Sequence, residues 1–207
     1  MALKIYGVAR SRAFRTLWMA GELGLSYEHV KTNFTGDTRR PEYLAINPNG
    51  HVPAIDDDGF RLWESMAINL YLAKKHGSGA GGLYPQALED EARVWQWSFW
   101  GMTEVERPAL TVLLNRIGPE DQRDAAAADE AERALAAPLK VLDAALTGAP
   151  YLLGEQFTVA DLNLAGILAW ARQARVNLAE FPKAEAWLKA CHDRPAAQAA
   201  RQLQREG

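Results

Sequence analysis

The chain has 207 residues, 48% of them hydrophobic and 24% charged, with a formal net charge of −3. This is the composition of an ordinary soluble globular protein, one domain or two small ones, long enough to bury a sizeable core. The charge balance argues against a sequence-independent grip on nucleic acid, which needs a basic face, and a single cysteine, Cys191, excludes an internal disulfide scaffold.

The N-terminal "MALKIYGVAR" has too short an apolar run for a signal peptide, and its "LKIYGV" portion reads as a strand. A helical period follows, with Phe14, Leu17, Trp18, Gly21 and Leu25 on one face and Gly24 as its stop. "SYEHVK" alternates as a second strand, and "RPEYLAIN" is a short helix-like turn ended by Pro48. "VPAID" and "GFRLW" are two strands joined by "DDDG", where Asp58-Gly59 signals a hairpin. "SMAINLYLAKKHG" is a helix closed by Lys74, Lys75, His76 and Gly77. The expected order is β-α-β-α-β-β-α over residues 1–77.

The Gly-rich "GSGAGGLYPQ" (77–86) is the one convincing linker, the linker bounds being set at 78–87, and residues 88–207 read as helical throughout. "EDEARVWQWSFWGMTEVERPALTVLLNRIG" is expected as one long helix bent at Pro108, its aromatic residues mostly core or interdomain packing. Leu135, Leu139, Leu142 and Leu146 mark the next apolar stripe. In "FTVADLNLAGILAWA", Thr158 and Asp161 have capping-box spacing, and a helix with almost no charge until Arg172 should be buried on all sides. The longest apolar tract, Leu164–Ala171, is far short of the ~20 residues that span a bilayer. Neither a CxxC nor a Cys/His cluster at metal-ligand spacing occurs. The reading is a cytoplasmic enzyme or binding protein.

Four motifs, in order and in matching structural contexts, carry a resemblance. "SRAFRTLW", "NPNGHVPAI", "LWESMAINLYL" and "YLLGEQFTVADL" resemble the first-helix start, the turn into a cis-proline, the Glu-Ser motif and the capping box of the cytosolic glutathione transferases. Serine-type, theta- and phi-like members are the nearest in pattern. The resemblance implies a thioredoxin-like α/β N-terminal domain that binds glutathione, then an all-helical C-terminal domain supplying an electrophile site and the contacts of a homodimer. It implies neither metal nor redox cofactor, with glutathione as substrate and neither nucleic acid nor membrane as partner. A non-catalytic member of the same fold, used for ligand carriage or protein assembly, is the alternative.

Glutathione offers two carboxylates, an amino group and a thiol whose ordinary pKa near ~8.5 leaves little thiolate at neutral pH. A hydroxyl or cation aimed at the sulfur, together with a helix N-terminus, stabilises the thiolate. Ser11, four residues before Arg15, matches the position of the thiolate-stabilising serine; Arg10, one residue earlier, is the rival, and an N-cap is the bland role for Ser11. The resemblance assigns Glu64 to the ligand's α-amino group and Ser65 to the γ-glutamyl carboxylate. By the same resemblance His51 stands where the glycine carboxylate is contacted; a solvated turn histidine is the other reading. Arg39 or Arg40 could reach that carboxylate too, or form a surface charge pair. Thiol-exchange chemistry is disfavoured because no cysteine stands at the helix start. Trp100, Thr103, Arg107 and Trp170 are the candidates for the electrophile pocket.

Pro53 opens a strand that it cannot fully bond. A cis Val52–Pro53 bond would account for it, its turn presenting the Val52 N–H and C=O to an extended peptide ligand; a trans Pro53 that starts an edge strand is the other reading.

Overall fold

The computed structural model describes residues 3–79 and 82–205. Two compact units emerge, one of Met1–Tyr84 with Asp193–Gly207, the other of Pro85–His192. The first unit is built on a four-stranded sheet of order β2-β1-β3-β4. Strand β1 (Leu3–Tyr6) pairs parallel with β2 (Tyr27–Val30) and antiparallel with β3 (Ala54–Asp57), which pairs antiparallel with β4 (Phe60–Trp63). Asp57 stands opposite Phe60, so the hairpin turn is the two residues Asp58 and Gly59, at φ 53° and 91°. Positive φ at both positions is what a type I′ turn requires.

Helix α1 (Ala13–Glu22) buries every residue from Ala13 to Ala20. It ends in a Schellman motif: Gly24, at φ 62°, donates to Gly21 O, and Leu25 donates to Ala20 O. A 3₁₀ turn (Asp37–Arg39) precedes α2 (Pro41–Leu44). Helix α3 (Ser65–His76) follows β4 directly, with Lys74, Lys75 and His76 in its last turn. Tyr71 and Lys75 fasten α3 to the sheet, both donating to the buried Asp57 carboxylate, at 2.8 and 2.6 Å. The expected β-α-β-α-β-β-α order is therefore the observed one.

The second unit holds α4 (Leu88–Trp100), a π-helical stretch (Gly101–Val105), α5 (Glu106–Ile117), α6 (Ala125–Ala145), α7 (Val159–Gln173) and α8 (Pro182–His192). Helix α7 is buried at every position from Val159 to Leu168, as its lack of charge predicts. The capping box forms: Thr158 N–H and Oγ–H both donate to Asp161 Oδ2. Asp161 Oδ1 also receives Leu152 N–H and Trp187 Nε1–H. Burial pushes the Asp161 carboxyl pKa up, and these four donors oppose it. Leu135, Leu139, Leu142 and Leu146 are buried along α6.

Three expectations are corrected. The long helix is not simply bent at Pro108: its irregularity is the π-helical stretch Gly101–Val105, which contains Glu104, the residue whose carbonyl the Pro108 ring would crowd in a regular helix. At Gly101 an added Cβ would lie 2.8 Å from Ile167 Cδ1 and 3.2 Å from Leu164 Cδ1, so the π stretch begins where α7 leaves no room for a side chain. The aromatics of α4 are not mostly core: Val94 and Ser98 are its buried residues, while Trp95 and Phe99 are 40% and 62% exposed. The helical unit does not run to 207, because helix α9 (Pro195–Arg205) groups with the first unit. The linker expected at 78–87 contains the division at Tyr84/Pro85; residues 80 and 81 within it lie outside the described residues. No helix among the described residues is long and apolar enough to cross a membrane.

Candidate functional site

The first unit brings the turn after β1, the Val52–Pro53 loop and the start of α3 to the same part of its sheet. Gly7 is the point of closest approach. At φ 134°, a Cβ there would lie 2.7 Å from Ala13 Cβ and 3.1 Å from Val52 Cβ, so the turn bearing Ser11 and the Val52 loop meet with no room for a side chain between them. His29 Nε2–H donates to the Gly7 carbonyl at 2.7 Å, and Gly7 N–H donates to Val30 O.

Ser11 lies in the turn between β1 and α1 and is partly exposed. Its hydroxyl donates to Val8 O at 2.7 Å and accepts Ala13 N–H at 3.1 Å. Both bonds are local, of the kind that caps a helix start. Arg10 is exposed, between the buried Ala9 and the partly exposed Ser11.

Val52 and Pro53 are buried and joined by a cis peptide bond. Two buried side chains hold the carbonyl just before them: Tyr43 Oη–H and Asn47 Nδ2–H donate to His51 O at 2.5 and 2.7 Å. Burial pushes the Tyr43 hydroxyl up to about 12, so it stays a donor throughout the working pH range. Among the described residues, the Val52 N–H and C=O have no hydrogen-bond partner. The His51 ring is exposed. Arg39 lies beside it in the fold, since a Cβ on Gly50 would be 2.7 Å from Arg39 Nη1. The two arginines thus separate: Arg40 pairs with Asp37 at 3.1 Å, and Arg39 covers the glycine that precedes His51.

Glu64 and Ser65 open α3. Glu64 is exposed and held at φ 72°, ψ 115°, a conformation that non-glycine residues seldom adopt and that concentrates at functional sites. Ser65 is 3% exposed, and its Oγ accepts from Arg15 Nη1 at 3.3 Å. Among the described residues no acceptor takes its hydroxyl proton, and the N–H groups of Ser65, Met66 and Ala67 are unpaired. A buried helix N-terminus left in this state favours an anion.

The remaining candidates belong to the second unit. Trp100 is half-buried and meets Trp97 edge-on, ring centroids 5.2 Å apart. Thr103, exposed in the π-helical stretch, donates to Trp100 O at 3.4 Å. Arg107 is exposed on the first turn of α5, and Trp170 is buried near the end of α7. Sequence reasoning missed the donors on His51 O and the Arg15–Ser65 bond. A trace of the second was legible, since Arg15 sits between Phe14 and Leu17 on the apolar stripe of α1.

The fold agrees with comparison to known proteins. The family model for the glutathione S-transferase N-terminal domain matches residues 1–74, and that for the C-terminal domain matches residues 105–195. Glutathione S-transferase 3 of Zea mays is 36% identical over 209 aligned positions, which span 95% of this chain and 91% of that protein. The theta class glutathione S-transferase from Xanthomonas axonopodis pv. citri, solved with glutathione bound, is 33% identical, with a TM-score of 0.86 over 96% of each chain. Glutathione transferase F7 from Populus trichocarpa superposes with a TM-score of 0.88 at 26% identity, over 98% of this chain and 99% of that one. With both of its domains matched and a relative of this identity along nearly its whole length, the chain belongs to the glutathione S-transferase family and is an enzyme of that family.

Proposed function

We propose that the chain holds glutathione as its thiolate and conjugates it to small apolar electrophiles. The sulfur attacks an electrophilic carbon; the leaving group departs with its bonding pair or, in an addition, the adjacent atom takes up a proton. The same thiolate can reduce organic hydroperoxides, two glutathiones yielding one disulfide, an alcohol and water. The observation that carries the reading is the start of α3, where buried Ser65 and the unpaired N–H groups behind it suit the γ-glutamyl carboxylate. Glu64, exposed beside it, pairs with the α-amino group. The Val52 N–H and C=O take the cysteinyl backbone as an added strand would, and His51 and Arg39 meet the glycine carboxylate.

Ser11 is the sulfur's hydroxyl donor in this proposal. Its proton, now given to Val8 O, moves to the thiolate, a stronger acceptor, while the N-terminus of α1 adds its dipole. Arg10 is the alternative donor. We propose Trp100, Thr103, Arg107 and Trp170 as the second unit's contribution to electrophile binding. Trp95 and Phe99, exposed one turn apart on α4, suit a homodimer face, and a lone buried cysteine suits a reducing cytoplasm.

The test is Ser11→Ala, with kcat/KM for an aryl halide followed against pH. A charge-assisted hydrogen bond of about 1.5–3 kcal/mol corresponds to a rise of about 1–2 units in the bound thiol's pKa. Turnover at neutral pH should fall by roughly tenfold to a hundredfold and recover at high pH, with glutathione affinity largely kept. An unchanged pH profile in Ser11→Ala, with a shifted one in Arg10→Ala, would move the role to Arg10.

A further inference from the structure

We propose that Arg15 is a positioning residue for the γ-glutamyl end of glutathione, acting through Ser65. This rests on the assignment of Ser65 to the γ-glutamyl carboxylate.

Arg15 is 1% exposed and lies on α1, one turn beyond Ser11. A guanidinium is always charged, and removing it from water is costly unless it is well hydrogen-bonded. Packing alone would be served as well by an unbranched apolar side chain of similar length. What the charge does is visible at its tip, where Nη1 donates to Ser65 Oγ, fifty residues along the chain. The main chain of Arg15 is held as well: Asn69 Nδ2, one turn beyond Ser65 on α3, donates to Arg15 O at 3.3 Å. Arg15 and Ser65 are thereby fixed to each other from both sides, Asn69 anchoring the backbone and Nη1 reaching the hydroxyl.

The consequence follows from what a serine hydroxyl can do. It has one proton to donate and lone pairs that accept. With a lone pair committed to Arg15, the proton remains for another acceptor, and among the described residues none takes it. Three unpaired backbone N–H groups, those of Ser65, Met66 and Ala67, share that first turn. A carboxylate bound there would receive the hydroxyl and one or more N–H groups, with a buried positive charge directly behind the serine oxygen polarising its O–H bond. Arg15 contributes to binding without touching the ligand. Because it belongs to the helix whose start carries Ser11, it also fixes where the γ-glutamyl end lies relative to the sulfur end.

The experiment is a double-mutant cycle on the full chain, with Ser65→Ala, Arg15→Met and the pair, measuring glutathione binding by calorimetry and the KM and kcat of conjugation. Each single change should weaken glutathione binding by roughly tenfold. The double should be no more than about threefold worse than either single, because both remove the same contact. The change should fall on KM for glutathione, with kcat at saturation and its pH profile unmoved. Cysteinylglycine, which lacks the γ-glutamyl group, should be used equally well by wild type and Arg15→Met. Fully multiplicative losses in the double overturn the proposal and leave the Ser65 assignment standing. A shifted kcat–pH profile in Arg15→Met with unchanged KM also overturns it, since Arg15 would then act on the thiolate. Wild-type affinity in Ser65→Ala removes the Ser65 assignment and the proposal with it. If Arg15→Met does not fold, Arg15→Lys carries the same cycle: it keeps the charge but loses the planar fork, and glutathione binding equal to wild type in it would overturn the role of the Ser65 bond.

Discussion

The His51 carbonyl gives the most direct handle on how the Val52 loop is held. It receives two hydrogen bonds, from Tyr43 Oη at 2.5 Å and Asn47 Nδ2 at 2.7 Å, both from side chains at most 5% exposed. Tyr43→Phe keeps the ring, with its edge contact to Tyr6 at 6.1 Å, and removes one donor. The carbonyl keeps the other, so the loss should be about 1 kcal/mol. Asn47→Ala removes the second donor and also the acceptor of Asn49 N–H, so about 2 kcal/mol is expected. The double variant leaves His51 O with no donor among the described residues. It should therefore cost more than the sum, by roughly 1 kcal/mol, because an unpaired carbonyl bears its full desolvation penalty. Urea midpoints at constant m report these values. If the two donors also aim the Val52 N–H and C=O at the ligand, glutathione affinity by calorimetry should fall in the double by roughly tenfold, about 1.4 kcal/mol. Wild-type affinity in a double variant that is measurably destabilised would refute the idea that α2 and Asn47 set up the ligand-binding loop, and would leave them a purely structural role.

Two further outcomes are expected. Asp161→Ala strands the Leu152 and Trp187 N–H donors inside the helical unit and should cost about 3–5 kcal/mol; Asp161→Asn, which keeps one acceptor oxygen, should cost less, and a loss below about 1 kcal/mol for Asp161→Ala by chemical denaturation would contradict the role given to this carboxylate. Burial alone would raise the Asp57 carboxyl, but the hydrogen bonds from Lys75 and Tyr71 outweigh it and hold the carboxyl below its ordinary value. A lowered folded-state pKa contributes stability that is complete above the unfolded carboxyl range and is lost as pH falls through the lowered value. Urea midpoints should therefore drop on acidification below about pH 4, and the Asp57 share of that drop should be smaller in Lys75→Met.

Much of the fold was legible because it rests on short-range signals. Asp58-Gly59 specifies its turn through positive φ, Gly24 stops α1 by the same freedom, and Thr158 with Asp161 opens α7 through bonds three residues apart. The positions Ser11, Val52–Pro53 and Glu64–Ser65 came from the resemblance of their motifs to a known family, not from local pattern alone. What escaped depends on which face of a helix meets which neighbour. The period of α4 offers Val94, Ser98, Gly101 and Val105 as one stripe of small and medium residues, and those are the buried ones. The large aromatics attract attention in the sequence, yet Ser98 is the residue that fits, taking Asn163 Nδ2–H and giving its own proton to Val94 O. Size and hydrophobicity misled because packing against α7 selects for close approach, which Gly101 also serves.

The last helix shows the same effect at the candidate site itself. "PAAQAARQLQR" holds one large apolar residue, Leu203, and reads as a surface helix of no particular destination. Its small residues are what suit it to α1. Ala197 and Ala200 are buried, and Gly21 has no Cβ where one would come within 3.2 Å of Ala196 Cβ. Polar contacts then fix the register at both ends. Arg194 grips Glu22 through two bonds of 2.7 Å, while Trp18 Nε1–H donates to the same carboxylate. At the far end Gln204 Nε2–H donates to Ala9 O at 2.9 Å, two residues before Ser11. The turn that carries Ser11 is thus held from the C-terminal end of the chain as well as by Gly7 and Val8. A helix that packs alanine against glycine, with the Arg194 fork at one end and the Gln204 amide at the other, carries little apolar weight, but it has enough specific geometry to fix the turn that bears Ser11.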